Sequence, residues 1–252
     1  MTRRVRPAVQ AADIAPRLRT LERRGLLRGS VSLGALTMLT GCNLSDDGAV
    51  DKALFAVSRF NDQVQAWLFD PNKLAPTYAA SQITDPFPYN GFYPEDDAPE
   101  IEAADWKLEV SGLVDDRTPW TLDRLRALPQ ESQITRHICI EGWSAIGSWS
   151  GVLLRTFLQR IGADTRARYV GFKCADRYYG SLDMPTALHP QTILAMDFAN
   201  KPLPSEFGFP LKVRVPTKLG FKNPKFVRAI EVTNDYPGGF WEDQGYNWFS
   251  GS

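Results

Sequence analysis

The sequence predicts an α+β protein, a mixed β domain with peripheral helices. Short runs rich in β-branched and aromatic residues recur along the chain, and only a few helical patterns lie between them. The 252 residues are 43% hydrophobic and include 18 Pro and 19 Gly, which is typical of a globular core with many irregular connections. The predicted strands are residues 106–112, 134–140, 168–174, 211–215 and 226–232.

Four segments predict helices. The longest, residues 51–70, has apolar residues at three- and four-residue spacing and ends at Pro71. Such a helix packs on the surface of a domain, or it docks a partner or a membrane, and both readings stay open. The other predicted helices are residues 122–128 behind the N-cap Thr121, a helix that follows residues 149–151 and ends at Gly162, and a short helix at residues 193–198.

The first 41 residues have the character of an export leader. They contain eight Arg and two acidic residues, whereas the remainder holds 21 basic and 27 acidic residues. Arg23 and Arg24, followed by an uncharged run at residues 30–41, resemble a twin-arginine signal peptide. The run is shorter than the roughly 20 residues that span a bilayer. An acidic body also argues against nucleic-acid binding by the folded part.

The leader ends in a tetrapeptide, Leu-Thr-Gly-Cys, that resembles a lipobox and would make Cys42 the lipidated first residue. An uncleaved anchor or another cleavage site is the alternative. We therefore expect a signal peptide at residues 1–41, a helix and linker at 42–83, and the functional domain at 84–252. We expect the mature protein in the periplasm, attached to the membrane by its lipid.

The most informative stretch is residues 136–144, where Cys139 lies at the end of an apolar strand and a Gly-Trp turn follows. A thiolate on a rigid support is a soft ligand, and soft ligands suit redox metals. Two other readings stay open: Cys139 is a small buried hydrophobic residue, or it forms a disulfide with Cys174. His137, two residues away, either orients a site or is a hydrogen-bonded structural histidine.

Three further segments carry chemistry without deciding its nature. Residues 84–99 are rich in Pro and aromatic residues and form either a packed wrapper or a binding loop. Residues 175–181 offer polar rings and Arg177, at a substrate entrance or as surface packing. The turn at residues 216–225 combines Lys218, Lys222 and Lys225 with Gly220, a composition that suits a phosphate but also a solvated surface.

Two motifs together decide between these readings. The motif Cys-Ile-Glu-Gly-Trp at residues 139–143 and the motif Gly-Phe-Lys-Asn-Pro-Lys at residues 220–225 resemble, in content and order, the molybdopterin-binding domain of the sulfite oxidase family. The resemblance extends from about Asp85 to Val232. It implies the sulfite-oxidase fold and a molybdenum–molybdopterin cofactor. The nearest members are periplasmic enzymes that reduce methionine sulfoxide in proteins.

The resemblance also implies a set of site residues. Cys139 matches the cysteine that binds molybdenum. The positions that match cofactor contacts are Asn90, Tyr93, Pro94, Cys174, Phe207, Lys212, Asn223, Pro224 and Lys225. Four of these depart from the family pattern: Pro94 replaces an acidic residue, Cys174 a hydroxyl residue, Phe207 a polar residue and Lys212 an arginine. His137 is expected to contact the cofactor, and Arg136 and Arg177 to place a substrate oxygen.

The expected function is two-electron oxygen-atom transfer, in the direction of sulfoxide reduction. A sulfite-oxidising enzyme is the alternative within the family, and it would need several arginines around an anion pocket. A lipoprotein that binds a ligand without redox chemistry is the alternative outside it. No Cys-x-x-Cys-His haem motif is present in the sequence, so we expect electrons from a membrane haem protein or a periplasmic carrier.

Overall fold

A computed structural model describes residues 47–251, with side chains at Lys52 and from Leu54 onwards. The chain divides into a unit Met1–Ala53 and a unit Leu54–Ser252. Of the first unit only residues 47–53 are described, as the start of helix α1. The predicted leader and Cys42 lie outside the described residues, so the predicted domain boundaries stay a prediction. Among the described helices, none combines the length and apolarity needed to cross a membrane.

The described residues form nine strands and four α-helices. The helices are α1 (Asp47–Leu68), α2 (Leu122–Arg126), α3 (Leu154–Arg160) and α4 (Met184–Ala187). The strands are β1 (Glu109–Gly112), β2 (Gln130–Ile138), β3 (Ser144–Leu153), β4 (Tyr169–Cys174), β5 (Tyr179–Asp183), β6 (Ile193–Phe198), β7 (Lys201–Pro202), β8 (Lys212–Arg214) and β9 (Val227–Thr233).

Two sheets divide these strands. The first has the order β1-β9-β4-β5, in which β1 and β9 are parallel and the other pairs antiparallel. The second has the order β2-β3-β6-β7, with β8 also paired to β6, and all its pairs are antiparallel. The α+β class and the mixed sheet predicted from the sequence are therefore confirmed.

The main apolar core takes side chains from both sheets, and a second, smaller cluster also packs on the second sheet. Alternate residues of β6 divide between them: Leu194 and Met196 join the main core, while Ile193 and Ala195 join the second cluster. The prediction of a short helix here was wrong. Residues 193–196 are apolar and buried on both faces, so they have no periodicity to distinguish a strand from a helix.

Most other element predictions are confirmed, with two exceptions. The Thr121 hydroxyl accepts a hydrogen bond from the Arg124 N–H at 3.3 Å, as an N-cap should, and Gly162 ends the turn after α3 with φ +62°. Strand β3 was missed because its Gly and Ser residues hide the alternation of a strand. The predicted loop at 175–181 is shorter than expected, since β5 begins at Tyr179.

Helix α1 is present as predicted, but its orientation differs from that of an ordinary surface helix. Asp62 is buried, whereas Phe60 and Trp67 are exposed. The apolar stripe that predicted the helix therefore faces away from the domain.

Candidate active site

A cavity of about 390 Å³ lies beside the turn that carries Cys139. Of the residues expected at a site, it is lined by Asn90, Cys139, Asn223, Pro224 and Lys225. Residues more than 130 positions apart thus meet here, because the turn after β2, the turn at residues 216–225 (which we call the lysine turn) and the loop before β1 all line the cavity. The remaining lining residues are Gly91, Phe92, Ile140, Glu141, Asp176, Tyr178, Gly220, Phe221, Trp241 and Tyr246.

Cys139 sits in a tight turn directly after β2. Its N–H donates to the Trp143 carbonyl at 2.9 Å, and its own carbonyl accepts from the Gly142 N–H at 3.2 Å. Gly142 adopts φ +92°, a conformation that a residue with a Cβ rarely adopts. The turn therefore fixes the direction of the thiol through the backbone.

The thiol of Cys139 is half-buried, and its Sγ lies 3.6 Å from Glu141 Oε2. The same carboxylate oxygen accepts from the Trp143 Nε1–H at 2.9 Å. Burial raises the pKa of the Cys139 thiol, and the Glu141 charge adds to this. Cys139 and Cys174 are both free, so the disulfide reading is wrong.

His137 connects the cavity to the loop at residues 84–99. Its Nε2 lies 3.2 Å from Asn90 Nδ2, and its ring contacts Phe87 edge-on. Burial, reinforced by nearby cations, lowers the pKa of His137 well below its ordinary value. A neutral ring therefore connects the loop to β2, and its Nδ1 has no partner among the described residues.

The three lysines of the turn at residues 216–225 have three different environments. Lys225 lines the cavity, and its ammonium donates to the carbonyls of Asn90 at 2.7 Å and Glu206 at 3.0 Å. Lys222 is paired with Glu242 at 2.6 Å. Lys218 is buried against the Phe249 ring, with its Nζ 2.9 Å from the ring centroid. Of these three lysines only Lys225 lines the cavity. Lys225 is therefore the one lysine of this turn that could bind the phosphate of a ligand in the cavity.

Arg214 is a fully buried residue that the sequence did not mark as part of the site. Its guanidinium donates to Asn223 Oδ1 at 2.9 Å, to Thr135 Oγ1 at 3.2 Å and to the Arg136 carbonyl at 2.6 Å. Asn223 Oδ1 also accepts from the Val215 N–H at 2.7 Å. The Asn223 amide therefore orders the turn, in addition to lining the cavity. The only sequence signal for Arg214 was its place beside Lys212 in a predicted strand.

Asp176 lines the cavity and is hydrogen-bonded to Tyr93, which does not line it. The Tyr93 hydroxyl donates to Asp176 Oδ2 at 2.9 Å, and Asp176 Oδ1 accepts from the Tyr178 N–H at 3.0 Å. Burial raises the pKa of Asp176 despite these bonds. Asp176 was missed from the sequence, since an Asp in a loop is usually solvated. Its neighbour Cys174 packs against the main core and is not among the lining residues.

The structure places the two arginine candidates, Arg136 and Arg177, away from the cavity beside Cys139. Arg136 lines a second cavity together with Lys73 and Ile138, because successive residues of a strand point to opposite faces. Its guanidinium lies 5.3 Å from the centroid of the Tyr78 ring. Arg177 is exposed at the tip of the β4–β5 turn with φ +67°. Neither arginine lines the cavity beside Cys139.

Besides Cys174, five expected cofactor contacts lie outside the cavity lining: Tyr93, Pro94, His137, Phe207 and Lys212. Pro94 is exposed, and its carbonyl accepts from the Asp97 N–H at 3.0 Å. Phe207 packs in the second apolar cluster, with its ring centroid 5.0 Å from that of Phe198. Lys212 is buried with its Nζ 5.2 Å from the centroid of the Trp149 ring. An aromatic residue at 207 therefore serves packing rather than hydrogen bonding.

The residues fit an anionic cofactor that brings a metal. Lys225 is a buried lysine that lines the cavity, and it forms no salt bridge among the described residues. Buried cations without a counter-ion are costly unless an anion binds nearby. Residues 47–251 contain no cluster of three or more His, Cys, Asp and Glu that could hold a metal ion. A single soft ligand at Cys139 therefore suits a metal whose other ligands come with a cofactor.

Comparisons with known proteins agree with this site. The model of the oxidoreductase molybdopterin-binding domain matches residues 95–241. A relative from Azospira oryzae, named provisionally as protein-methionine-sulfoxide reductase subunit YedZ1, is 60% identical over 240 residues, which cover 95% of this chain and 92% of the relative.

More distant relatives are named as protein-methionine-sulfoxide reductase catalytic subunits. One from Ralstonia nicotianae is 31% identical over 262 residues, covering 92% of this chain and 75% of the relative. One from Xanthomonas campestris is 33% identical over 187 residues, covering 65% of this chain and 58% of the relative.

A solved structure supports the fold. The sulfane dehydrogenase SoxCD from Paracoccus pantotrophus is similar with a TM-score of 0.52 at 20% identity, over 55% of this chain and 40% of that one. The residues that the family model matches, 95–241, include β2, the turn after Cys139 and the lysine turn, which line much of the cavity. The chain belongs to the family of oxidoreductases with a molybdopterin-binding domain, and its cofactor is molybdenum–molybdopterin.

Proposed function

We propose that this chain is the catalytic subunit of a periplasmic protein-methionine-sulfoxide reductase. The reaction takes two electrons and two protons and converts a sulfoxide to a thioether and water. Support comes from the names of relatives that align along most of the chain. The sulfite-oxidising alternative would run oxygen transfer in the opposite direction.

The observation that carries the proposal is the aromatic wall of the cavity. The rings of Phe92, Tyr178, Phe221, Trp241 and Tyr246 line it, and Lys225 is its one lysine or arginine. Sulfur makes favourable contacts with aromatic rings, which suits a methionine side chain in either oxidation state. Sulfite is a small dianion and would need several cations around it. The cavity therefore favours a neutral sulfoxide over sulfite.

Cys139, Lys225 and Asn90 each have a role at the cavity in this proposal. Molybdenum–molybdopterin, when bound, supplies the two-electron oxygen-atom transfer. Cys139 would hold the metal through its thiolate, directed by the backbone bonds of its turn. Lys225 would neutralise the anionic part of the cofactor. Asn90, which Lys225 and His137 both contact, would hold the loop at residues 84–99 against it.

Electrons must come from a second protein in this proposal. Relatives named as catalytic subunits imply a further subunit. We propose a membrane haem protein or a periplasmic carrier as the donor. Lipidation at Cys42 would attach the chain to the membrane on the periplasmic side and so bring the two proteins together.

A matched pair of cysteine variants tests the function. Protein exported from a host that makes the cofactor is measured for molybdenum and pterin by mass spectrometry, and for reduction of peptide methionine sulfoxide by a reduced dye. We expect about one molybdenum per chain, with activity lost in Cys139→Ala and retained in Cys174→Ala. The two cysteines differ chiefly in that only Cys139 lines the cavity.

The alternatives predict different outcomes. Oxidation of sulfite with no sulfoxide reduction would establish the sulfite-oxidising type. Fully folded protein that contains neither metal nor pterin would favour the third reading, a lipoprotein that binds a ligand without redox chemistry.

A further inference from the structure

Helix α1 is attached to the domain through its polar side chains. The Asp62 carboxylate accepts a hydrogen bond from the Phe249 N–H at 2.7 Å. The Arg59 guanidinium lies 4.1 Å from the centroid of the Tyr236 ring. Gln65 Oε1 accepts from the Gly251 N–H at 3.3 Å. The contacts that hold the inward face of α1 are therefore polar, although the exposed ring of Phe55 lies on the same side.

The opposite face of α1 is apolar and exposed. Its members, which we call the outer face, are Leu54, Val57, Phe60, Val64, Trp67 and Leu68, with exposed fractions from 37% at Val64 to 82% at Trp67. At about 100° per residue, these positions and Asn61 fall within an arc of about 140°. No charged residue between Leu54 and Leu68 lies in this arc.

This arrangement reverses the usual one. A surface helix of a soluble domain turns its apolar stripe toward the core and its polar side chains to water. Contiguous exposed apolar side chains mark a contact with a partner or a membrane. The polar contacts of Arg59, Asp62 and Gln65 hold the helix in this orientation, so the outer face cannot turn inward without breaking them.

We propose that the outer face of α1 lies on the surface of a lipid bilayer. The chain that leads to α1 supports this occupant. An uncharged run at residues 30–41 ends at Cys42, and only residues 43–46 separate Cys42 from the start of α1. Such a spacer spans at most about 17 Å. This distance argument rests on the lipid attachment proposed above, whereas the composition of the outer face does not.

The composition of the outer face also suits a bilayer. Trp67 and Phe60 are residues that anchor helices at the boundary between headgroups and acyl chains, and Trp67 is the most exposed member. A second copy of the chain is the other occupant that such a face could take. The fluorescence and oligomer measurements distinguish it from a bilayer.

Trp67 provides the test. The molybdenum-loaded full chain is mixed with phosphatidylethanolamine–phosphatidylglycerol vesicles, with and without brominated phosphatidylcholine as a quencher of tryptophan fluorescence. The difference between wild type and Trp67→Phe isolates the emission of Trp67. Because both proteins share the same leader, its own binding to lipid cancels. We expect quenching of the Trp67 emission by the brominated lipid.

A second set of variants measures the binding itself. Replacing Phe60, Trp67 and Leu68 by Ser together should lower the vesicle partition coefficient by about a hundredfold, since each side chain loses its transfer to an apolar environment. The control is Leu113→Ser, which removes an exposed leucine on the turn after β1. Equal pterin content would show that the triple variant folds.

Each outcome decides the proposal. Trp67 emission that lipid does not quench overturns it, whether or not mass spectrometry finds an acyl group on Cys42. An unacylated chain with quenched Trp67 supports the outer face while it removes the lipid anchor from the proposed function. A dimer that the triple variant converts to a monomer, with Trp67 unquenched, would assign the face to a second copy. Activity toward methionine sulfoxide is measured separately and does not depend on these results.

Discussion

Two lysines of the lysine turn, Lys222 and Lys225, show how one residue type serves two purposes. At Lys222, a buried ammonium meets the Glu242 carboxylate at 2.6 Å, and both side chains are 2% exposed. At Lys225, three residues later, the ammonium meets only two carbonyl oxygens at 2.7 and 3.0 Å. Burial lowers the pKa of Lys225 to about 8.

The two lysines therefore differ in whether their charge is available to a ligand. The Lys222 charge is already compensated, so it ties the turn to the C-terminal segment. The Lys225 charge is oriented by carbonyls but not neutralised by them, so an anion in the cavity would gain the full interaction. Four predictions, in order of expected effect, test this contrast.

Lys222→Met should be the most damaging change to stability. It leaves the Glu242 carboxylate buried without a partner, which costs about 3–5 kcal/mol in the free energy of unfolding. The double variant Lys222→Met with Glu242→Leu should recover most of that loss, because it removes the stranded charge. Urea denaturation measures both. If Lys222→Met had the same free energy of unfolding as wild type, the ion pair with Glu242 would not contribute to stability.

Lys225→Met should affect the cofactor rather than the fold. Loss of a charge-assisted hydrogen bond costs about 1.5–3 kcal/mol of binding, which corresponds to about ten- to a hundredfold weaker retention of the pterin. The measurement is pterin content per folded chain after extended dialysis. Arg136→Met is the control, since it removes a cation from the other cavity. Equal retention in both variants would contradict the role of Lys225.

Gly220→Ala probes the backbone of the turn just before Lys222 and Lys225. A Cβ at Gly220 would lie 2.6 Å from His137 Nε2 and 3.3 Å from the Ile138 carbonyl oxygen. Because His137 is buried, relief of this overlap should cost about 1–3 kcal/mol and weaken the contact with Asn90. Thermal unfolding compares it with Gly180→Ala, whose Cβ would meet Pro224 at an ordinary 3.5 Å. Similar losses in both would refute the close packing of Gly220 on His137.

Asp176→Asn should have a small effect whose sign depends on pH. Burial raises the pKa of Asp176 in the folded state, so the wild-type contribution to stability is fully present below the unfolded pKa and is lost as pH rises through the folded pKa. As pH rises above about 4, the usual pKa of an Asp side chain, the variant should therefore gain stability relative to wild type.

Asp164→Asn is the control with the opposite sign. Hydrogen bonds from Arg166 lower the pKa of Asp164, so the wild-type contribution is present above the unfolded pKa and is lost as pH falls. Urea midpoints across the pH range measure both variants. A difference that does not change with pH would remove Asp176 as a buried, protonatable group of the cavity.

Much of the architecture could be predicted because its signals are local. The Thr121 cap, the end of α3 at Gly162 and the strand that leads to Cys139 each depend on a few neighbouring residues. The prediction failed at β6, where burial on both faces removes the alternation that identifies a strand. Arg136 lines the other cavity, as strand alternation already indicated, and its role at a substrate stays a prediction.

The sequence by itself determined the family, the fold class, the thiol at a strand end and a lysine-rich turn in the right order. Only the tertiary structure decided which lysine lines the cavity and that Asp176 lines it too. It also decided that Arg214 orders the turn and that α1 turns its apolar face outward. These outcomes depend on contacts between distant residues, such as Lys225 with the Asn90 carbonyl and Asp62 with the Phe249 N–H. Residue type and spacing state what a side chain can bind, whereas the fold selects the partner that it meets.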